Sequence, residues 1–481
     1  MYRPIKFLNK CLAGILLCAL YGCKVLTPLP QKVSLQAPRT FLERVDSTSI
    51  GTLPIREFFT DPNLAALIDT ALLRNPDIAM AIQRIEIARA NVWEREGTLL
   101  PSVSAEVSGG IRRYGKYTID GVGNYDTNFS DNIESDQRMT NPLPDYFVGV
   151  RSSWEADIWG KLRTRRKGAY LRFLATEKAQ QLVVTNLVAE VARLYYELLT
   201  LDNQLEIIRK NEDLQKKAVE SIAIQKDAGR ANELAVRQFA AQLLNTQALD
   251  IQIQQQVLEA ENRINTLLGR FSQPITRGNS ILHQEFPAQV GVGVPAQMLR
   301  RRPDVQQAEL ELKAHEADLQ AARLEFLPSL NITPYLGLNA FRSSVLFSPA
   351  SLAFGLLGGV TAPIMNRKNL KAGQKRSQAQ ATEALYAYNK AVITAFQEAT
   401  LSMRTMDNLQ KIGILKEQET TTLQEGVSIS NDLFLAGYAN YLEVITAQRS
   451  VLSAELEQTT IQQKRFLALV DMYRALGGGW E

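Results

Sequence analysis

Few side chains in this 481-residue chain are placed to do covalent chemistry. It has two histidines, His283 and His315, and neither has near it the Cys, His, Asp or Glu spacing of a metal site or a catalytic triad. The runs Gly291-Val292-Gly293 and Gly477-Gly478-Gly479 lack the strand–turn–helix setting, and the lysine, that a phosphate loop needs. The basic cluster Arg163, Arg165, Arg166, Lys167 reads as a solvated face, lying near a membrane if one is present. No catalysis, metal or cofactor is expected. The side chain whose setting does suggest chemistry is a thiol, and all three cysteines fall within the first 23 residues.

Lys6 and Lys10 precede the ten-residue apolar run Cys11–Leu20, which suits a secretory leader and is too short to span a bilayer. The run ends in Leu20-Tyr21-Gly22-Cys23, which resembles the lipobox of bacterial lipoproteins. Small Gly22 suits the peptidase, and the Cys23 thiol would take a diacylglycerol, with an N-acyl chain on the freed amine. Residues 1–22 are therefore expected to be a signal peptide, followed by an extended Pro-, Thr- and Ser-rich arm over 23–60. Removing the leader takes away three basic residues and no acid, so the formal charge falls from +4 to +1. That balance gives no reason to expect nucleic acid as a partner. The mature chain keeps no cysteine beyond Cys23, so disulfides and Cys-based metal sites are excluded although the compartment would permit them. No later segment has 18 consecutive apolar residues, so any membrane span must be a β-barrel.

The elements come in two copies. Asn75-Pro76-Asp77-Ile78 and Leu100-Pro101-Ser102-Val103 recur 227 positions on as Arg302-Pro303-Asp304-Val305 and Leu327-Pro328-Ser329-Leu330. Ala228-Gly229-Arg230-Ala231-Asn232 recurs 208 positions on as Ala436-Gly437-Tyr438-Ala439-Asn440. A unit of about 200 residues is duplicated. The expected division is repeat 1 over 61–273, a linker over 274–301 and repeat 2 over 302–481. No proline lies between Pro144 and Pro274 or after Pro363, which leaves room for very long helices.

Helices are expected over Asp61–Gly97 (broken at Asn75-Pro76), Lys161–Ala228 and Asn232–Leu268, and again over Asp304–Phe326, Arg367–Ala436 and Asn440–Ala475. The longest would reach about 100 Å, and the helix Asp77–Thr98 placed end to end with its shorter partner nearly matches it. After Leu100-Pro101 the period changes to two: Val103, Ala105 and Val107 alternate with polar residues, and Tyr146–Val150, Ser329–Phe341 and Leu352–Ile364 complete four strands. Tyr114–Leu143 reads as a Gly-, Asn- and Asp-rich loop with five acids against Lys116 and Arg138. Four strands do not close a barrel, so one made from this chain must be shared among subunits. Each long hairpin turns at a glycine, Gly229 or Gly437, and Asn232 or Asn440 caps the returning helix, Glu443 completing a capping box.

Arg302-Pro303-Asp304-Val305, Phe326-Leu327-Pro328-Ser329-Leu330 and Ala436-Gly437-Tyr438-Ala439-Asn440-Tyr441-Leu442-Glu443-Val444, duplicated and in order behind a lipobox, resemble the outer membrane efflux protein family, the TolC-like outer membrane factors, in its lipidated multidrug or metal efflux branch. The resemblance covers essentially the whole mature chain. It implies a mostly α fold with a membrane β part. It implies a homotrimer whose twelve-stranded β-barrel sits in the outer membrane and continues as an α-helical barrel through the periplasm. It also implies a passive, gated export duct for small molecules such as drugs or metal ions, working with a hexameric periplasmic adaptor and an inner-membrane pump. The adaptor would meet the hairpin tips, Gly229, Arg230, Ala231, Asn232 and Gly437, Tyr438, Ala439, Asn440. The periplasmic gate would be Leu442, Glu443 and Thr446. Family members commonly carry aspartate where this chain has Thr446, which leaves Glu443 as the nearby acid; the matching first-repeat residues Leu234, Ala235 and Gln238 include none. Two other readings stay open: a secretion duct for polypeptides, and a non-conducting lipid-anchored coiled-coil scaffold with a soluble sheet.

Overall fold

The computed structural model describes residues 38, 40–41, 49–286, 291–365 and 367–481. Cys23, the leader and most of the arm lie outside the described residues. The chain forms two compact units, and each draws on both repeats: one holds Ala88–Phe173 with Glu311–Ala384, the other Val33–Ile87, Leu174–Leu310 and Leu385–Glu481. The helices are α1 (Pro62–Arg74), α2 (Pro76–Gly97), α3 (Ile119–Thr127), α4 (Lys161–Asp227), α5 (Glu233–Leu267), α6 (Pro295–Arg301), α7 (Pro303–Leu324), α8 (Lys368–Leu435) and α9 (Tyr441–Ala475). The strands are β1 (Ser102–Arg112), β2 (Leu143–Ala156), β3 (Ser329–Ala340) and β4 (Leu352–Thr361). No described helix is long and apolar enough to cross a membrane.

In the first unit the strands form one antiparallel sheet in the order β1-β2-β3-β4. Register puts Val107 opposite Val148, Val148 opposite Leu338, and Leu338 opposite Leu352. Because side chains alternate, this aligns Val103, Val107 and Ile111 with Val150, Leu336, Phe354, Leu356 and Val360 on one face. That face is exposed: Val107 is 80 % and Phe354 77 % accessible. The opposite face carries Ser104, Glu106, Ser108, Asp145, Arg151, Asn331, Thr333 and Asn339. Phe147 packs on it against Gly149 and Gly337, where added Cβ atoms would come within 2.8 Å of its ring. The Arg151 guanidinium lies over that ring at 4.7 Å and pairs with Glu106 at 2.6 Å.

Tyr114–Leu143 is not the plain loop its composition suggests. It holds α3, capped by Thr118, whose Oγ1 accepts from Gly121 N at 3.1 Å. Turn-forming Gly and Asn hide this helix from a periodicity search. The cluster at the start of α4 is largely solvated, with Arg163, Arg166 and Lys167 exposed, and it is also ion-paired. Arg163 pairs with Asp157, Arg165 with Glu325 and Arg166 with Glu96. These partners lie on other segments, so sequence spacing does not show them.

In the second unit a core of aliphatic and aromatic side chains runs along α1, α4, α5, α8 and α9. The α1–α2 break falls at Asn75. Its Oδ1 accepts from Asp77 N at 2.8 Å, and its Nδ2 donates to the Leu267 carbonyl at the end of α5 at 2.9 Å. The second repeat repeats the joint with Arg302, whose guanidinium donates to the Ala475 carbonyl at the end of α9 at 3.1 Å. Positive φ at Gly269 (62°) and Gly477 (87°) lets the two helix ends fit there; a Cβ on Gly269 would come within 2.4 Å of the Arg74 carbonyl oxygen. Thus α2 abuts α5, as the shortfall in α5's length requires.

Candidate channel gate and docking tips

Each hairpin turns through a glycine in the left-handed region, Gly229 at φ 76° and Gly437 at φ 79°. The turns close alike: Arg230 N donates to the Gln225 carbonyl and Tyr438 N to the Leu433 carbonyl, both at 2.8 Å. Any L side chain at either glycine would be strained, so both positions need the residue they have. The returning helices are capped as their sequences suggest. Asn232 Oδ1 accepts from Ala235 N at 2.9 Å. Asn440 Oδ1 accepts from Leu442 N at 2.8 Å and from Glu443 N at 3.3 Å, and Glu443 Oε1 accepts from Asn440 N at 3.4 Å.

A small core joins the two tips. Ile222, Ala235, Phe239, Val444 and Ile445 are buried together, with Ala231, Val236, Phe434 and Tyr441 packed around them. Sequence reasoning missed this cluster, although Phe239 and the Val444-Ile445 pair were its available signal. Gly229, Arg230, Asn232, Gly437, Tyr438 and Asn440 stay exposed, and Ala231 and Ala439 are half-buried. Tyr438 is 85 % accessible.

Leu442, Glu443 and Thr446 lie together on the exposed side of α9, and Leu442 is 53 % accessible. The Thr446 hydroxyl donates back to the Leu442 carbonyl at 2.7 Å, so it is occupied with its own helix. Among the described residues no lysine or arginine pairs with Glu443. The first tip differs here. Its acid is Glu233, which pairs with Arg237 at 2.7 Å and Lys226 at 3.4 Å, and these two cations hold its carboxyl below the usual range. Ala235, which matches Glu443, is buried in the inter-tip core.

The second unit contains a strongly charged interior site around Arg302, which is 4 % exposed. Arg302 Nε and Nη2 meet the two Asp304 carboxylate oxygens at 3.0 and 2.6 Å, and Nη2 also meets Glu398 at 2.8 Å. Burial opposes the charge, but the two carboxylates outweigh it and keep the guanidinium pKa above its ordinary value. This site fastens α7 and α8 to the end of α9. It is architectural. His283 lies in a short turn and His315 within α7, and no group of Cys, His, Asp and Glu able to hold a metal occurs among the described residues.

The model of the outer membrane efflux protein family matches residues 67–270 and 294–478. The pyoverdine export outer membrane protein OpmQ of Pseudomonas aeruginosa is 29 % identical over 476 residues, covering 98 % of this chain and 97 % of that protein. The cation efflux system protein CusC of Escherichia coli is 26 % identical over 489 residues, covering 99 % of each. A crystal structure of a membrane protein from Pseudomonas aeruginosa superposes with a TM-score of 0.83 at 25 % identity, covering 95 % of this chain and 98 % of that one. With its family model matched over most of its length and two helical hairpins and four strands in place, the chain belongs to the outer membrane efflux protein family: it is an outer-membrane channel subunit of a tripartite efflux pump and, as a member of that family, not an enzyme.

Proposed function

We propose that three copies of this chain close their sheets into one twelve-stranded barrel whose polar face lines an export duct and whose closed end is gated by Leu442 and Glu443. The observation that carries this is the sheet. One face is apolar across all four strands and open to its surroundings, the other is polar, and among the described residues the outer edges of β1 and β4 have no strand partner. In water such a face would forfeit about 1.5–3 kcal/mol for each large side chain left unburied, and free edges invite further pairing. In lipid, closure by β4-to-β1 pairing removes both costs.

The tips support the rest of the reading. Two exposed tips per chain give six in a trimer, which suits a hexameric adaptor linked to an inner-membrane pump. Glu443, unpaired and beside exposed Leu442, would form a ring of three carboxylates that favours cations and a ring of three apolar side chains that narrows the pore. Opening would be a two-state change biased by adaptor contacts. Cys23, lipidated on thiol and amine, would anchor the arm in the outer membrane. Named relatives export pyoverdine or cations, so a duct wall of this kind is compatible with different cargoes, and the partner pump would choose among them.

Single-channel recording in planar bilayers tests the reading. The wild type should give small, cation-biased currents, and Leu442→Ala with Glu443→Gln should give larger currents with less cation bias. Unchanged currents in the double variant would remove these residues from the gate. No current from either protein would favour the scaffold reading.

A further inference from the structure

The segment that most separates the two repeats is also the one that encloses a cavity. The β1–β2 connection spans 30 residues, 113–142, against 11, residues 341–351, for β3–β4. Its cavity of about 710 Å³ lies at the end of the sheet remote from α2, and Arg112 and Leu143, paired in the ladder on the polar face, form part of its wall. That volume is in the range of sites for small organic ligands.

The lining is selective. Arg112, Arg113 and Lys116 contribute to it with Tyr114, Tyr125, Asn124 and Asn128. The connection carries Asp120, Asp126, Asp131, Glu134 and Asp136, yet among the described residues no acid lines the cavity. Asp120 and Asp145 act on Arg112 without forming part of the wall. Arg113 and Lys116 have no hydrogen bond or ion pair among the described residues. Three cationic residues along one cavity wall repel one another, and a bound anion would lower that repulsion.

The cavity is also held in shape. Asn128 and Met139 exchange two hydrogen bonds across the connection, at 2.9 and 2.8 Å. The connection is tied to the turn after β3 by Arg342, which donates to the Arg138 carbonyl at 2.8 Å, and next to it Asn339 of β3 donates to Asp145 of β2 at 2.9 Å. A Cβ on Gly121 would come within 2.1 Å of the Gly115 carbonyl oxygen, so α3 packs tightly on the turn before it. The Tyr114 hydroxyl accepts from Arg112 Nη1 at 3.3 Å, which sets that ring beside the guanidinium.

We infer that this cavity is a binding site for a small multivalent organic anion with an aromatic part, held by Arg112, Arg113 and Lys116 and flanked by Tyr114 and Tyr125. The inference needs the barrel reading only to place the site at the mouth of the duct; binding itself does not depend on conduction.

The test uses full-length protein in an uncharged detergent and the anisotropy of a trisulfonated pyrene dye, with the cationic dye rhodamine 6G as the control. The wild type should bind the anionic dye, pyrophosphate should displace it, and rhodamine should bind weakly. Replacing Arg112, Arg113 and Lys116 by Gln together should weaken dye binding about tenfold or more, while Arg112→Lys with Arg113→Lys should restore most of it. Equal dye affinity in the triple variant, or rhodamine binding as tight as that of the anionic dye, would overturn the site. The triple variant should keep the wild-type circular dichroism and thermal melting curve in detergent, which separates loss of the site from loss of the fold.

Discussion

The two copies of the repeat share a backbone and differ in what they charge. At the tips, Gly229 and Gly437 make the same turn and Asn232 and Asn440 make the same kind of cap. Yet the first tip neutralises its acid between Lys226 and Arg237, while the second leaves Glu443 unpaired. The helices also face the inter-tip core differently. Ala235 and Phe239 point inward from α5, whereas α9 uses Val444 and Ile445, about one residue further round. That rotation turns Glu443 outward where its counterpart Ala235 is buried. At the far end of the hairpins the same joint is made by the Asn75 amide in one copy and by the Arg302 guanidinium with two carboxylates in the other. The turns and joints are common to both copies, while the unpaired tip acid and the buried guanidinium belong to the second.

The largest test of this asymmetry is at the joints. Arg302→Ala removes a buried guanidinium from two partly exposed carboxylates, of which Glu398 keeps Arg474 at 3.6 Å, and leaves the Ala475 carbonyl without its donor; it should cost about 2–3 kcal/mol. Asn75→Ala removes a cap and one carbonyl partner and should cost about 1–2 kcal/mol. Denaturant unfolding of the detergent-solubilised protein compares them, and equal losses would break the asymmetry.

Alkaline unfolding should give an intermediate effect. Tyr473 stands where the first copy has Asn265. Burial pushes the Tyr473 phenol up to about 12, and its hydroxyl donates to the Leu53 carbonyl at 2.7 Å. A phenol raised above its unfolded value contributes stability that is complete below about pH 10 and is lost as the pH rises toward 12. Tyr473→Phe should therefore lower stability at pH 8 and remove about 2 kcal/mol of the fall between pH 10 and 12. Melting curves at several pH values would show this, and an unaltered alkaline slope would contradict it.

The smallest effect is expected at the caps. Asn440→Ala removes two cap bonds and the box with Glu443 and should cost about 1 kcal/mol, against about half that for Asn232→Ala. Amide exchange confined to the two tips would resolve the difference.

Much of the architecture was legible because its signals are local. A proline-free run, a glycine followed three residues on by asparagine, and an alternation of valine with serine each mark an element from within it, and the observed helices and strands begin and end close to those marks. The turn and cap geometry of the tips was legible in the same way at Gly229, Gly437, Asn440 and Glu443. The partners were not. The inter-tip core joins Ile222 to Val444, and Arg302 reaches Glu398, across separations that no short-range pattern encodes. Helix α3 was missed for the opposite reason: its Gly and Asn content reads as turn, while its capping and packing hold it helical.

By itself the sequence determined a duplicated unit with long hairpins, four amphipathic strands and tips of fixed geometry, because period, capping and glycine conformation are properties of neighbouring residues. Only the tertiary structure decided which acid is left unpaired, which cations line one cavity and which arginine is buried, because charge acts through space and its partners are set by packing.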